Sequence, residues 1–146
     1  MTTVPEETSA SVPTDERRTI LGHALGPVLQ ETLSGRLGDI RWFRTDWQRS
    51  GAATGRARWN EPTGGQVDVV IKLPVSEREY RWLGRLQNAD PPLPVPRLVA
   101  SGDVLGGYDL AWVVIEHLPF GPLGTHWEDD HILRMTDAVA RFQAAA

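Results

Sequence analysis

The chain of 146 residues contains no cysteine and only one lysine, Lys72, among its fifteen basic residues. Without thiols, a disulfide scaffold and every thiolate metal site are excluded. The other fourteen basic residues are arginines spread along the chain, and the net charge is −4. No massed positive surface results, so a nucleic-acid partner held by charge is not expected. No apolar run approaches the roughly 18–20 residues that a membrane span needs, so no membrane partner is expected either. The first residues lack the apolar core of a signal peptide, which makes the cytoplasm the expected location. There is no internal repeat. If the protein uses an ammonium group, it can only be that of Lys72.

Apolar periodicity divides what is present. Residues 1–18 carry Thr, Ser, Pro and Glu without periodicity and read as a disordered tail. From Thr19, an acceptable N-cap, Ile20, Leu21, Ala24, Leu25, Val28, Leu29 and Leu33 recur at helical spacing, against the opposing signals of Gly22, Gly26 and Pro27. Asp39 to Gln48 then reads as a strand. Ala53 to Asn60 reads as a second, with Arg56, Arg58 and Asn60 on one face and Ala57 and Trp59 on the other. After the turn Glu61 to Gly65, the β-branched run Gln66 to Leu73 predicts a third. Ser76 and Glu79 form a capping box that opens a helix bearing Tyr80, Leu83 and Leu86. That helix must end before the proline-rich connector Pro91 to Pro96. Arg97 to Asp103 and Tyr108 to Glu116 predict two more strands, hinged at Gly106-Gly107. A last helix is expected to open on a second capping box, Thr125 with Glu128, and to present Ile132, Leu133, Met135, Val139 and Phe142 on one face. The order implies an α+β fold, five antiparallel strands with one helix inserted between the third and fourth.

Chemistry concentrates in three neighbouring features. A small, glycine-bearing hairpin tip, Ser50 to Gly55, precedes the strand that ends in Val70-Ile71-Lys72, and Glu79 follows seven residues later on a helix. Together they suit a triphosphate. Glycines let a loop lie close over phosphates and aim backbone N–H groups at them. An ammonium supplies a compact positive charge, and a carboxylate on the adjacent helix holds it in place. Structural alternatives stand beside each assignment. Lys72 also reads as a surface lysine at a strand end, and Glu79 as a capping-box residue with Glu77 the fallback partner of Lys72. Ser50 to Gly55 also reads as a plain hairpin tip.

From about Asp39 to Phe142 the sequence resembles the N-terminal lobe and lobe linker of the aminoglycoside phosphotransferase family, small-molecule kinases related in fold to protein kinases. The resemblance is carried by VVIKLP (Val69 to Pro74), SEREYRWLGRL (Ser76 to Leu86), LPVPRLVASGD (Leu93 to Asp103) and WVVIEHLPFGPL (Trp112 to Leu123) in that order. It implies a kinase-like lobe over residues 19–116 that binds ATP, a linker over 117–124, and the start of a C-terminal lobe over 125–146. By the same resemblance Lys72 contacts the ATP phosphates and Glu79 is its ion-pair partner. Ser50, Gly51 and Gly55 belong to the phosphate-covering loop, and Ile115 lines the back of the adenine pocket. The Glu116 carbonyl and the Leu118 N–H hydrogen-bond the adenine edge. The complete enzyme would transfer the γ-phosphoryl group to a hydroxyl of a small molecule, with Mg2+ entering only alongside a complete C-lobe.

The family's catalytic loop, of the H-G-D type, has no counterpart in these residues. His23, His117, His126 and His131 are followed two positions on by Leu, Pro, Glu and Leu. Phosphoryl transfer rests on positioning, metal and base. The expectation is therefore an inactive, truncated or split member, possible partner to a separately encoded C-lobe. The alternatives are a stand-alone nucleotide- or protein-binding module and a fragment without function. Thr125 to His131 superficially resembles a metal cluster, but acids there suit a helix N-terminus and His126 and His131 lie off one face, so no metal is expected. The six tryptophans read as core and lobe packing. Arg78, Arg81 and Arg85 read as a solvated face partly paired with Glu77.

Overall fold

The computed structural model describes residues 20–45, 52–90, 92–119 and 127–145. The tail, the loop residues Ser50 and Gly51, and the Thr125 cap lie outside the described residues. The elements are α1 (Ile20–Thr32), β1 (Arg41–Thr45), β2 (Ala53–Asn60), β3 (Gln66–Leu73), α2 (Glu77–Gln87), β4 (Leu98–Leu105), β5 (Tyr108–Glu116) and α3 (His131–Ala145). All five strands join one antiparallel sheet in the order β1-β2-β3-β5-β4. The fold is α+β, with α2 inserted between the third and fourth strands as the element order implied, and it is compatible with a kinase-like N-lobe. No helix among the described residues is long and apolar enough to cross a membrane.

Alternation sorts the sheet into two faces. On β2, Ala53, Gly55, Ala57 and Trp59 point inward, while Arg56, Arg58 and Asn60 are exposed. Val69, Ile71 and Leu73 of β3 and Trp112 and Val114 of β5 continue the inward face, all buried. Leu21, Leu25, Val28 and Leu29 of α1 pack on it. Burial of each large aliphatic side chain contributes about 1.5–3 kcal/mol. That packing explains how α1 forms with poor intrinsic propensity and runs unbroken through Pro27. Its glycines are needed for contact. A Cβ at Gly22 would lie 2.6 Å from the Trp42 ring, so the indole of β1 sits where only glycine leaves room.

Three boundaries differ from the sequence reading. β1 begins at Arg41, because Arg36 to Gly38 already lie along β2: the Asn60 amide donates to the Arg36 carbonyl (2.8 Å) and the Gly38 amide to the Arg58 carbonyl (2.9 Å). β4 starts at Leu98 and reaches Leu105, closing on β5 through Gly106 and Gly107 at φ +58° and +83°. Two successive positive φ values are what a tight two-residue hairpin requires. The last helix starts at His131, not beside a Thr125–Glu128 box. The Arg134 amide donates to the Asp130 carbonyl (3.0 Å), so Asp130, itself a favoured N-cap type, opens the helix. The apolar residues of α3 are present as read, but Ile132, Leu133, Met135 and Val139 are exposed.

Candidate functional site

Opposite the α1 face, Lys72 occupies a row of its own. Its register partners are Thr54 on β2 and Val113 on β5, and the next row on that side is Arg56, Val70 and Ile115. Val113 is fully buried, so the stem of Lys72 starts beside apolar packing while its head is partly open. The ammonium forms an ion pair and hydrogen bond with the Glu79 carboxylate, at side-chain exposures of 28% and 34%.

Local chemistry puts Glu79 there. Ser76 is in extended conformation and its hydroxyl accepts from the Glu79 amide (3.1 Å), which starts α2. The reciprocal half of a capping box, the Glu79 carboxylate turning back to the Ser76 amide, is absent from the hydrogen bonds of the described residues. The carboxylate reaches across to β3 instead. Glu77, two residues earlier and therefore on the other side of the helix, pairs with Arg81 at 2.5 Å on the solvent side. Arg85 lies over the Trp82 ring, 5.2 Å from its centroid, so the arginines of α2 form the solvated face anticipated for them.

The other end of the row is the end of β5. Ile115 is half-buried opposite Val70, and Glu116 pairs with Val69 three residues along β3 from Lys72, roughly 10 Å at the ordinary strand rise. Two hydrogen bonds pin the chain here: the Glu116 amide donates to the Arg97 carbonyl and the His117 amide to the Asp68 carbonyl, both 2.9 Å. Leu118 follows, exposed, and its amide has no backbone acceptor among the described residues. Lys72, Glu79 and Ile115 thus lie on one side of the sheet, while Glu116, whose register partner Val69 faces the core, and Leu118 beyond it bring their backbone to the end of the strand. They offer a charged end and, along the strand, a backbone edge.

Gly55 does not belong to the loop assigned to it. It is the third residue of β2, paired with Trp42 and Ile71, and faces the core. A Cβ there would stand 2.6 Å from Ile40 and 2.8 Å from Trp42, so its smallness serves packing under the indole. Ser50 and Gly51 lie outside the described residues.

One feature of this face escaped the sequence reading. The Arg56 guanidinium lies over the ring of Phe43, 5.3 Å from its centroid, in the row next to Lys72. The alternation of β2 put Arg56 on the correct face. Pairing it with Phe43 needs the β1–β2 register, which shifts between Trp42 and Arg44. Its neighbour Arg58 instead pairs with Asp68 across the strands at 3.0 Å. At the start of α3, Glu128, Asp130 and His131 bring one ligand-type atom each within 4.8 Å. His131 Nδ1 there accepts from the Glu128 amide (3.0 Å), so one of its two nitrogens is engaged.

Comparison with known proteins adds one result. The family model described as "Phosphotransferase enzyme family" matches residues 42–146. No curated protein and no solved structure matches the chain.

Proposed function

The chain belongs to the phosphotransferase enzyme family, and from that premise we propose that its sheet is the nucleotide-binding part of a kinase that phosphorylates a hydroxyl of a small molecule. The single observation that carries this reading is the Lys72–Glu79 pair, an anchored, partly exposed ammonium on the face of the sheet opposite α1. Lys72 would bind the α and β phosphate oxygens of ATP, and Glu79 would hold the ammonium in position. The backbone of Glu116 and Leu118, roughly 10 Å along the strand direction, would hold the adenine edge, with Ile115 behind it. Backbone groups at a strand end read a purine without special side chains.

The charge and spacing of these groups support a nucleotide; among the described residues this face carries no comparable set of ligands for Mg2+. No step through a metal or a general base is therefore assigned to these residues. Retention of nucleotide without turnover, as a binding module, is the second reading.

Calorimetric titration of ATP into the chain and into Lys72→Ala tests the proposal. Binding by the parent and at least about tenfold weaker binding by the variant, with unchanged circular dichroism, is the expected result. Equal binding by both, or none by the parent, overturns it. Adding ADP detection to the same samples separates an enzyme from a binding module.

A further inference from the structure

We propose that Arg56, backed by Phe43, stacks on the base of the bound nucleotide and so makes this sheet select nucleotides over bare polyphosphates. The inference rests on the nucleotide reading of Lys72 and adds a residue to it.

The register supplies the geometry. Lys72 stands in the row Thr54–Lys72–Val113, and Arg56 in the adjoining row Arg56–Val70–Ile115. Travel from the ammonium toward Glu116, the proposed base-binding edge, passes over this second row. A ligand with its phosphates at Lys72 therefore lays its sugar and base along Val70, with Ile115 on one flank and Arg56 on the other. Neighbouring strands are roughly 4.8 Å apart, so the flanks stand about 10 Å from one another, wide enough for a planar heterocycle lying over Val70.

The side chains suit that task. Arg56 is exposed, and Phe43, 51% exposed, supports its guanidinium on one side. A guanidinium is planar and weakly hydrated, and it stacks on aromatic faces; a ring already beneath it restricts the arginine before the ligand arrives. Its free face offers the base both a stacking surface and a positive charge. Apolar strand residues alone would cover a base by dispersion without the charge. Arg58, one turn of the alternation further, is engaged by Asp68 and takes no part.

Two probes separate the roles: ATP and inorganic tripolyphosphate, each titrated into the full chain, Lys72→Ala, Arg56→Ala and Arg56→Lys. Arg56→Ala is expected to weaken ATP about tenfold and leave tripolyphosphate unchanged. Arg56→Lys should follow Arg56→Ala, because an ammonium keeps the charge but not the plane. Lys72→Ala should weaken both probes. Equal loss of ATP and tripolyphosphate in Arg56→Ala would make Arg56 a phosphate contact and overturn stacking. ATP binding that responds to Lys72→Ala but not to Arg56→Ala sinks the stacking role and leaves the nucleotide site standing. Failure of the parent to bind either probe removes both. Arg56 is exposed, so a folded variant, checked by circular dichroism, is expected throughout.

Discussion

Glu79 holds the ammonium of Lys72 while its own amide is capped by Ser76, so one residue joins the start of α2 to the middle of the sheet. The two contacts use different atoms and separate by mutation. Glu79→Gln keeps the amide and removes the charge. Both partners are about one-third exposed, and screened pairs of this kind contribute about 0–1 kcal/mol. The melting temperature of Glu79→Gln should therefore move little, while ATP affinity falls several-fold because the ammonium is no longer held. A large loss of stability with intact affinity would contradict the proposed division.

Ser76→Ala should show the converse. Loss of an N-cap hydroxyl costs about 1 kcal/mol, which lowers the melting temperature by a few degrees in a chain of this size. The Lys72–Glu79 pair needs no Ser76 atom, so ATP titration of the folded variant at low temperature should match the parent.

Gly22→Ala ought to stabilise an ordinary helix by roughly 1 kcal/mol. Here the new methyl would meet Trp42 at 2.6 Å, and the opposite sign is expected, a loss of about 1–3 kcal/mol. Combining it with Trp42→Leu should recover part of that loss, a coupling that urea titrations of the two single variants and the double variant measure directly. Additive losses would mean that the glycine and the indole do not share this contact.

Gly102 and Trp112 are register partners on β4 and β5, and a Cβ at Gly102 would lie 2.8 Å from the indole. The indole N–H donates to the Val104 carbonyl (3.1 Å). Trp112→Phe removes that donor and leaves the rest of the ring's volume mostly filled. A loss of about 1–3 kcal/mol in chemical denaturation is expected, with no effect on the Lys72 side of the sheet.

α3 exposes Ile132, Leu133, Met135 and Val139 at 44–72%. Apolar surface of that extent binds hydrophobic dyes and promotes self-association. Leu133→Lys with Val139→Glu should lower dye fluorescence and sedimentation heterogeneity without shifting the melting temperature of the sheet. An unchanged dye signal would place the exposed apolar surface elsewhere.

Much of this protein was legible from local chemistry. The ends of β2, β3 and β5 follow from alternation bounded by turn residues, and the start of α2 from a serine placed three before a glutamate. Lys72 stood out because no other lysine exists. The ambiguities that remained were between partners equally near in sequence. Glu77 and Glu79 both lay within reach of Lys72 by spacing, and the helix's angle to the sheet sent one to Arg81 and the other to Lys72. Gly55 read as a loop residue because glycine marks turns, yet it is required by the Trp42 indole of β1, far back along the chain. Phe43 and Arg56 met only through a register that contains a shift. Sequence by itself determined the periodicities, the caps and the single available ammonium, all properties of residues within a few positions of each other. Which carboxylate, glycine or ring each of them meets was decided by tertiary structure, because close packing and strand register bring together side chains whose separation along the chain carries no signal.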